Sequence, residues 1–234
     1  MLKFFRHIRK SLLEQNKMGK YFKYAIGEIL LVVIGILIAL QINNWNEKNK
    51  SRTKENVILT NFKEDLNSDL VKLEALKKAF QLRVESKKIF ESVYQNKAKE
   101  PVSLSQAFKN QYVELLIGFS PNTITIDEIK NSSGMAIISS TELRRQLVTL
   151  YNTYDIFITK LKIGFTKNQE LLDYVSYHFD NVLEPTDSEI NKMLNDKYFI
   201  NQIIANYSYG LLEETVINYN LCMETLNMLE KQLK

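Results

Sequence analysis

YAIGEILLVVIGILIALQINNW, residues 24–45, carries one charge, Glu28, and no proline. From Ala25 to Ile42 the apolar run is broken only by Glu28 and Gln41. At 1.5 Å of rise per residue it spans roughly 27 Å, close to the hydrocarbon thickness of a bilayer. The stretch predicts a membrane-spanning helix. Tyr21, Tyr24 and Trp45 flank it with amphipathic rings suited to the two headgroup layers. The core helix of a soluble protein is the alternative. A cleavable signal peptide fits less well, because small residues at the cleavage positions are missing around Ala39-Leu40-Gln41. No lipobox cysteine follows either, the only cysteine being Cys222.

Within the span, Gly27, Leu31, Gly35 and Ala39 recur every fourth residue and share one helical stripe, on which Gly35 and Ala39 form a small-xxx-small pair. Such a stripe lets helices approach closely, so it is the expected face for self-association or for a partner span. Glu28 lies about one turn inside the border. A carboxylate at that depth is costly and points to function by default. Its bland alternative is to snorkel to the headgroups or to pair with Lys20, Lys23 or a partner.

Orientation follows from lysine and arginine. Residues 1–24 hold seven of them, Lys3, Arg6, Arg9, Lys10, Lys17, Lys20 and Lys23, against four in residues 43–60. The excess predicts a cytoplasmic N terminus and a C-terminal part beyond the membrane. The same segment accounts for the pI near 8.9. Without its seven basic residues and Glu14, the chain keeps 24 basic against 26 acidic residues, so its basicity belongs to the membrane flank and no nucleic-acid partner is expected. In residues 2–15, Leu2, Phe5, Ile8 and Leu12 at helical spacing predict a short helix on the leaflet, with Lys3, Arg6, Arg9 and Lys10 facing lipid headgroups. A disordered basic tail that only sets topology is the alternative.

The run FFRHIRKSLLEQNKMGKYFKYAIGEILLVVIGILIALQINNWNE, residues 4–47, resembles the N-terminal signature of a family of uncharacterised single-pass inner-membrane proteins abundant in Bacteroidota. The resemblance continues more loosely through SSGMAIISSTELRRQLVTLYN, residues 132–152, where members also have a serine–glycine break before a Glu-Leu-Arg helix start. It implies a bacterial inner-membrane protein of unknown activity, with no catalytic residue to carry over.

Beyond Trp45, seven glycines and three prolines in the whole chain leave room for long helices. Leu59, Phe62, Leu66, Leu70, Leu73, Leu76, Phe80 and Val84 mark a helix reaching about Tyr94. Ser103 with Gln106, Thr125 with Glu128, Ser139 with Glu142 and Thr186 with Glu189 read as four capping boxes. They open, in turn, a helix with Leu104, Phe108, Leu115 and Leu116 inward, a short helix ending at a left-handed Gly134, a long helix to about Leu183, and a short helix over 187–195. A last helix is expected from Lys197 to Leu233. Alternation of period two is nearly absent, so the expected fold is all-α: segment 1–23, transmembrane helix 24–45, and an elongated antiparallel helical bundle over 46–234.

Two histidines, His7 and His178, and one cysteine leave little for a metal centre, and scattered glycines form no phosphate loop, so no cofactor is expected. The pairs Glu64-Asp65, Asp127-Glu128 and Glu213-Glu214 sit at polar positions or caps, and His178 near Asp173 and Asp180 lacks a nucleophile. With no disulfide possible within the chain, packing alone must hold the domain. The expected function is a non-catalytic, membrane-anchored binding, scaffold or sensory accessory protein of the cell envelope, with lipid and either a protein partner or a second copy as its contacts. An envelope enzyme with an unrecognised helical active site is one alternative. The same domain facing the cytoplasm is the other. A deep pocket with convergent polar groups would favour the enzyme, and a merely packed bundle the binder.

Overall fold

A computed structural model describes residues 18–96, 104–112, 118–131, 134–181 and 184–234. Seven α-helices are formed among them: α1 (Met18–Tyr94), α2 (Leu104–Tyr112), α3 (Ile124–Asn131), α4 (Thr141–His178), α5 (Asp187–Leu194), α6 (Lys197–Ala205) and α7 (Ser208–Leu233), with a 3-10 turn at Gly134–Ile137. No strand occurs among the described residues, so the fold is all-helical. The chain divides into two compact units, Met1–Lys54 and Glu55–Lys234.

In the first unit the described residues belong to α1, and the apolar stretch has no protein cover. Leu31 is 68% exposed, Trp45 67%, and beyond the helix's own adjoining backbone nothing lies within 4 Å of where a Cβ would stand on Gly27 or Gly35. The stretch is long and apolar enough to cross a membrane and none of it is buried. Lys3, Arg6, Arg9 and Lys10 lie outside the described residues.

In the second unit, α1 buries Glu55, Leu59, Phe62, Leu66, Asp69, Leu73, Leu76, Phe80, Arg83, Lys87 and Phe90, alternating four and three residues apart. This 3.5-residue period is that of a coiled-coil seam. It differs from the expected seam at two points: Asp69 is buried and Leu70 only half-buried, and the series passes through Arg83, with Val84 buried beside it. One apolar core joins the seam from Leu59 to Phe80 with Ile126, Leu143 to Phe157 of α4, and Leu211 to Leu229 of α7. A second joins Phe90 with Leu104 and Phe108 of α2, Leu171 and Val175 of α4, and Ile190, Phe199 and Ile203 of α5 and α6.

Several helix ends differ from the capping-box expectation. Helix α3 begins at Ile124, with Thr123 before it, because the Asp65 carboxylate lies 3.4 Å from the Thr125 amide and takes the part expected of a local cap. Helix α3 ends at Asn131, and Gly134, expected as its cap, opens the 3-10 turn. Ser140, not Ser139, caps α4, its hydroxyl accepting from the Leu143 N–H. Helix α4 ends at His178, with Phe179 extended, short of the expected Leu183. The last expected helix is two, broken at Asn206 and Tyr207. The Thr186–Glu189 box is formed with both of its reciprocal bonds. Ser103, Leu115, Leu116 and Leu183 lie outside the described residues.

Candidate functional site

Between the two apolar cores each long helix carries polar residues. On α1, Arg83, Ser86 and Lys87 separate Phe80 from Phe90 and are all buried. On α4, buried Asn168 separates Phe157 from Leu171, and at the α6–α7 break Asn206 and buried Ser208 separate Ile203 from Leu211. Gln111, at the end of α2, is also buried.

Apart from Ser86, whose hydroxyl donates to the Leu82 carbonyl at 2.9 Å, these groups bind one another, as buried polar groups tend to. Arg83 Nη2 donates to Asn168 Oδ1, and the Arg83 carbonyl accepts from Gln111 Nε2 at 2.8 Å. Asn206 Nδ2 donates to Gln111 Oε1 at 3.2 Å, and Asn206 Oδ1 accepts from the Ser208 hydroxyl at 2.6 Å and the Ser208 N–H at 3.2 Å. Lys87 Nζ donates to the Asn206 carbonyl at 2.9 Å and lies 5.1 Å from the centre of the Tyr209 ring. Burial pushes the Lys87 ammonium below its ordinary pKa, against the opposing pull of Glu91. The carbonyl of Asn206 thus leaves the helical ladder to receive a lysine, which is why the apolar periodicity of 197–233 does not produce one helix.

Two cavities adjoin this layer and share Arg83, Gly164, Asn168 and Leu211. The larger, about 500 Å³, is walled chiefly by Phe80, Phe119, Ile158, Leu161 and Phe165. It falls within the size range of ligand pockets, roughly 300–1,000 Å³. The smaller, about 260 Å³, adds Lys160, Lys167, Gln202, Asn206, Tyr207 and Ser208. Lys160 is paired with Glu214, and Lys167 with Glu170 at 2.7 Å. These pairs raise both ammonium pKa values, mainly through the hydrogen bond to each carboxylate. Gly164 stands where the cavities meet, and a Cβ there would come within 2.8 Å of Leu211 Cδ1. Gly210 serves a neighbouring purpose, since the Tyr207 ring lies over the first turn of α7 where any Cβ on Gly210 would stand.

The site residues expected from sequence are not part of this arrangement. Gly27, Leu31, Gly35, Ala39, Glu28, Tyr21, Tyr24 and Trp45 all fall on α1 in the first unit. His178 is exposed, stacks on Tyr174 with ring centres 4.1 Å apart, and has Nδ1 2.9 Å from the Tyr174 carbonyl. Tyr174 in turn donates to Asp196 at 2.9 Å. Cys222 is fully buried, and burial raises its thiol to about 11, which keeps it protonated and inert at neutral pH. No cluster of three or more His, Cys, Asp or Glu among the described residues is placed to hold a metal ion. The polar layer was missed because its residues lie far apart in the chain. The available signal was the 3.5-residue seam of α1, which runs straight through Asp69, Arg83 and Lys87.

No curated protein and no solved structure matches the chain. The family model DUF6090, described as a family of unknown function, matches residues 28–209, more than half of the chain, and the protein belongs to that family.

Proposed function

We propose that the protein is a non-catalytic, single-pass accessory of the bacterial inner membrane, a binding, scaffold or sensory subunit whose helical domain, an elongated antiparallel bundle, faces the periplasm. One observation carries the reading: an 18-residue apolar run of α1 lies wholly uncovered, while Glu55–Lys234 builds two cores of its own. An uncovered run of that length is explained by lipid around it. The lysine and arginine excess before residue 24 supports an N-in orientation. Association through Gly27, Leu31, Gly35 and Ala39 accounts for small residues on one stripe with open space around them.

The test uses Tyr177, which is 86% exposed. A Tyr177→Cys chain in a Cys222→Ser background is treated with a membrane-impermeant maleimide in intact spheroplasts. Labelling before lysis is expected. Labelling only after lysis would sink the periplasmic placement. In parallel, Gly35→Leu with Ala39→Leu is expected to reduce in-cell cross-linking of two copies at least several-fold, and unchanged cross-linking would remove the stripe from the proposal.

A further inference from the structure

We infer that the two adjoining cavities form one binding site for an amphiphilic organic anion, its apolar body in the larger chamber and its carboxylate or phosphate in the smaller. The larger chamber offers the rings of Phe80, Phe119 and Phe165 with Ile158 and Leu161, walls that reward an apolar body by its burial. The smaller chamber brings together Arg83 of α1, Lys160 and Lys167 of α4, and the first turn of α7, with no carboxylate among its described lining residues. Arginine presents a planar fork matched to a carboxylate or phosphate, and Asn168 holds this one by accepting from its Nη2. The dipole of the 26-residue α7, which starts at this wall with Tyr207 and Ser208 in the lining, adds positive potential there.

Both lysines keep contact with solvent. Their side chains are 38% and 66% exposed; Lys167 pairs with the half-exposed Glu170 at the rim, an arrangement of low net worth in water, and Lys160 with Glu214, whose side chain is 21% exposed. An incoming anion can exchange the Lys167–Glu170 pair without leaving a buried charge behind, and can share Lys160 while it stays beside Glu214. A cation would meet Arg83, and a neutral apolar molecule would leave the polar chamber unused, so the chemistry selects a molecule that is anionic at one end only. Gly164, shared by both chambers, lets Leu211 approach α4 where a Cβ would stand. This inference is independent of the membrane reading, since it concerns residues of the second unit alone.

The experiment uses the full chain in phosphatidylcholine nanodiscs, with 8,8,8-trifluorooctanoate as the probe read by fluorine NMR and empty nanodiscs as the partition control. Saturable binding of one probe per chain is expected, displaced by octanoate and octyl phosphate and not by octylammonium or octan-1-ol. Lys160→Gln with Lys167→Gln should raise the dissociation constant at least tenfold, with the thermal unfolding midpoint nearly unmoved. Ile158→Trp, which fills the larger chamber, should raise it similarly. Displacement by octan-1-ol as effective as by octanoate, the absence of saturable binding, or an unchanged dissociation constant in the lysine variant would each overturn the inference.

Discussion

Glu55 and Asp69 stand fourteen residues, two heptads, apart on the same seam position of α1, and each buried carboxylate receives a backbone N–H from a connecting segment. Glu55 accepts from the Ser139 N–H at 2.6 Å and its hydroxyl at 2.8 Å, and Asp69 accepts from the Asn122 N–H at 2.9 Å. Arg83, fourteen residues further on, continues the series with its bond to Asn168. On that seam position Phe62 and Leu76 lie between them and Phe90 follows Arg83, so apolar and polar residues alternate by heptad. Apolar side chains of similar size can slide past one another at little cost, whereas a buried charge tolerates only the register that supplies its partners. The polar seam residues therefore fix which segment of the chain sits at which level of α1.

Replacing Glu55 by alanine strips the Ser139 N–H and hydroxyl of their acceptor, while Gln232 Nε2, 3.4 Å from Glu55, keeps Ser139 Oγ at 2.9 Å. A loss of about 1–3 kcal/mol is expected from stranded polar groups. Ser139→Ala should cost less, since the backbone N–H still reaches Glu55. Urea unfolding of the detergent-solubilised chain measures both, and a Ser139→Ala loss equal to or larger than that of Glu55→Ala would contradict the role given to the backbone bond.

Asp69 makes a pH-dependent contribution. Burial raises its carboxyl pKa above the ordinary value, outweighing the Asn122 N–H and Lys72, which pull it down. A folded pKa above the unfolded one means that the protonated form is favoured in the fold. The stability it contributes is full below the unfolded pKa, near 4, and is lost as pH rises through the folded pKa. Asp69→Asn cannot ionise, so its stability relative to the natural chain should grow from pH 4 to pH 8. Unfolding midpoints of the two proteins across that range give the answer. A difference that stays constant, or shrinks with rising pH, refutes the assignment.

At the start of α5, Thr186 Oγ1 accepts from the Glu189 N–H at 3.3 Å and Glu189 Oε2 accepts from the Thr186 N–H at 2.6 Å. Thr186→Ala is expected to cost about 1 kcal/mol. The Thr186 N–H, then Asn181 Nδ2 and the Thr186 hydroxyl, hold the Glu189 carboxyl below the ordinary range. Its contribution is present above the unfolded pKa and fades as pH falls through the lower folded one. Amide hydrogen exchange in Asp187–Leu194 reads the change locally, and exchange there as slow in the alanine variant as in the natural chain would count against the cap.

Where a helix starts was legible only when its cap was local. Thr186 and Glu189 are three residues apart and no distant group competes for them, so the box forms as read. Ser139 and Ser140 offer two caps for α4, and Glu55, 84 residues away, decides by taking the first. Asp65 plays the same part for α3 from 60 residues away. The α6–α7 break depends on Lys87, 119 residues before the carbonyl it meets, so apolar spacing over 197–233 carries no trace of it.

The sequence by itself determined the helical class, the uncovered apolar span and most of the core, because helix periodicity and hydrophobic length are properties of neighbouring residues. The tertiary structure alone decided that Glu55, Asp69, Arg83 and Lys87 belong to the seam, that a polar layer divides two cores, and that two cavities open beside it. The reason is desolvation. A charged residue on an apolar face costs free energy unless specific partners meet it, and those partners come from chain segments brought together only by folding.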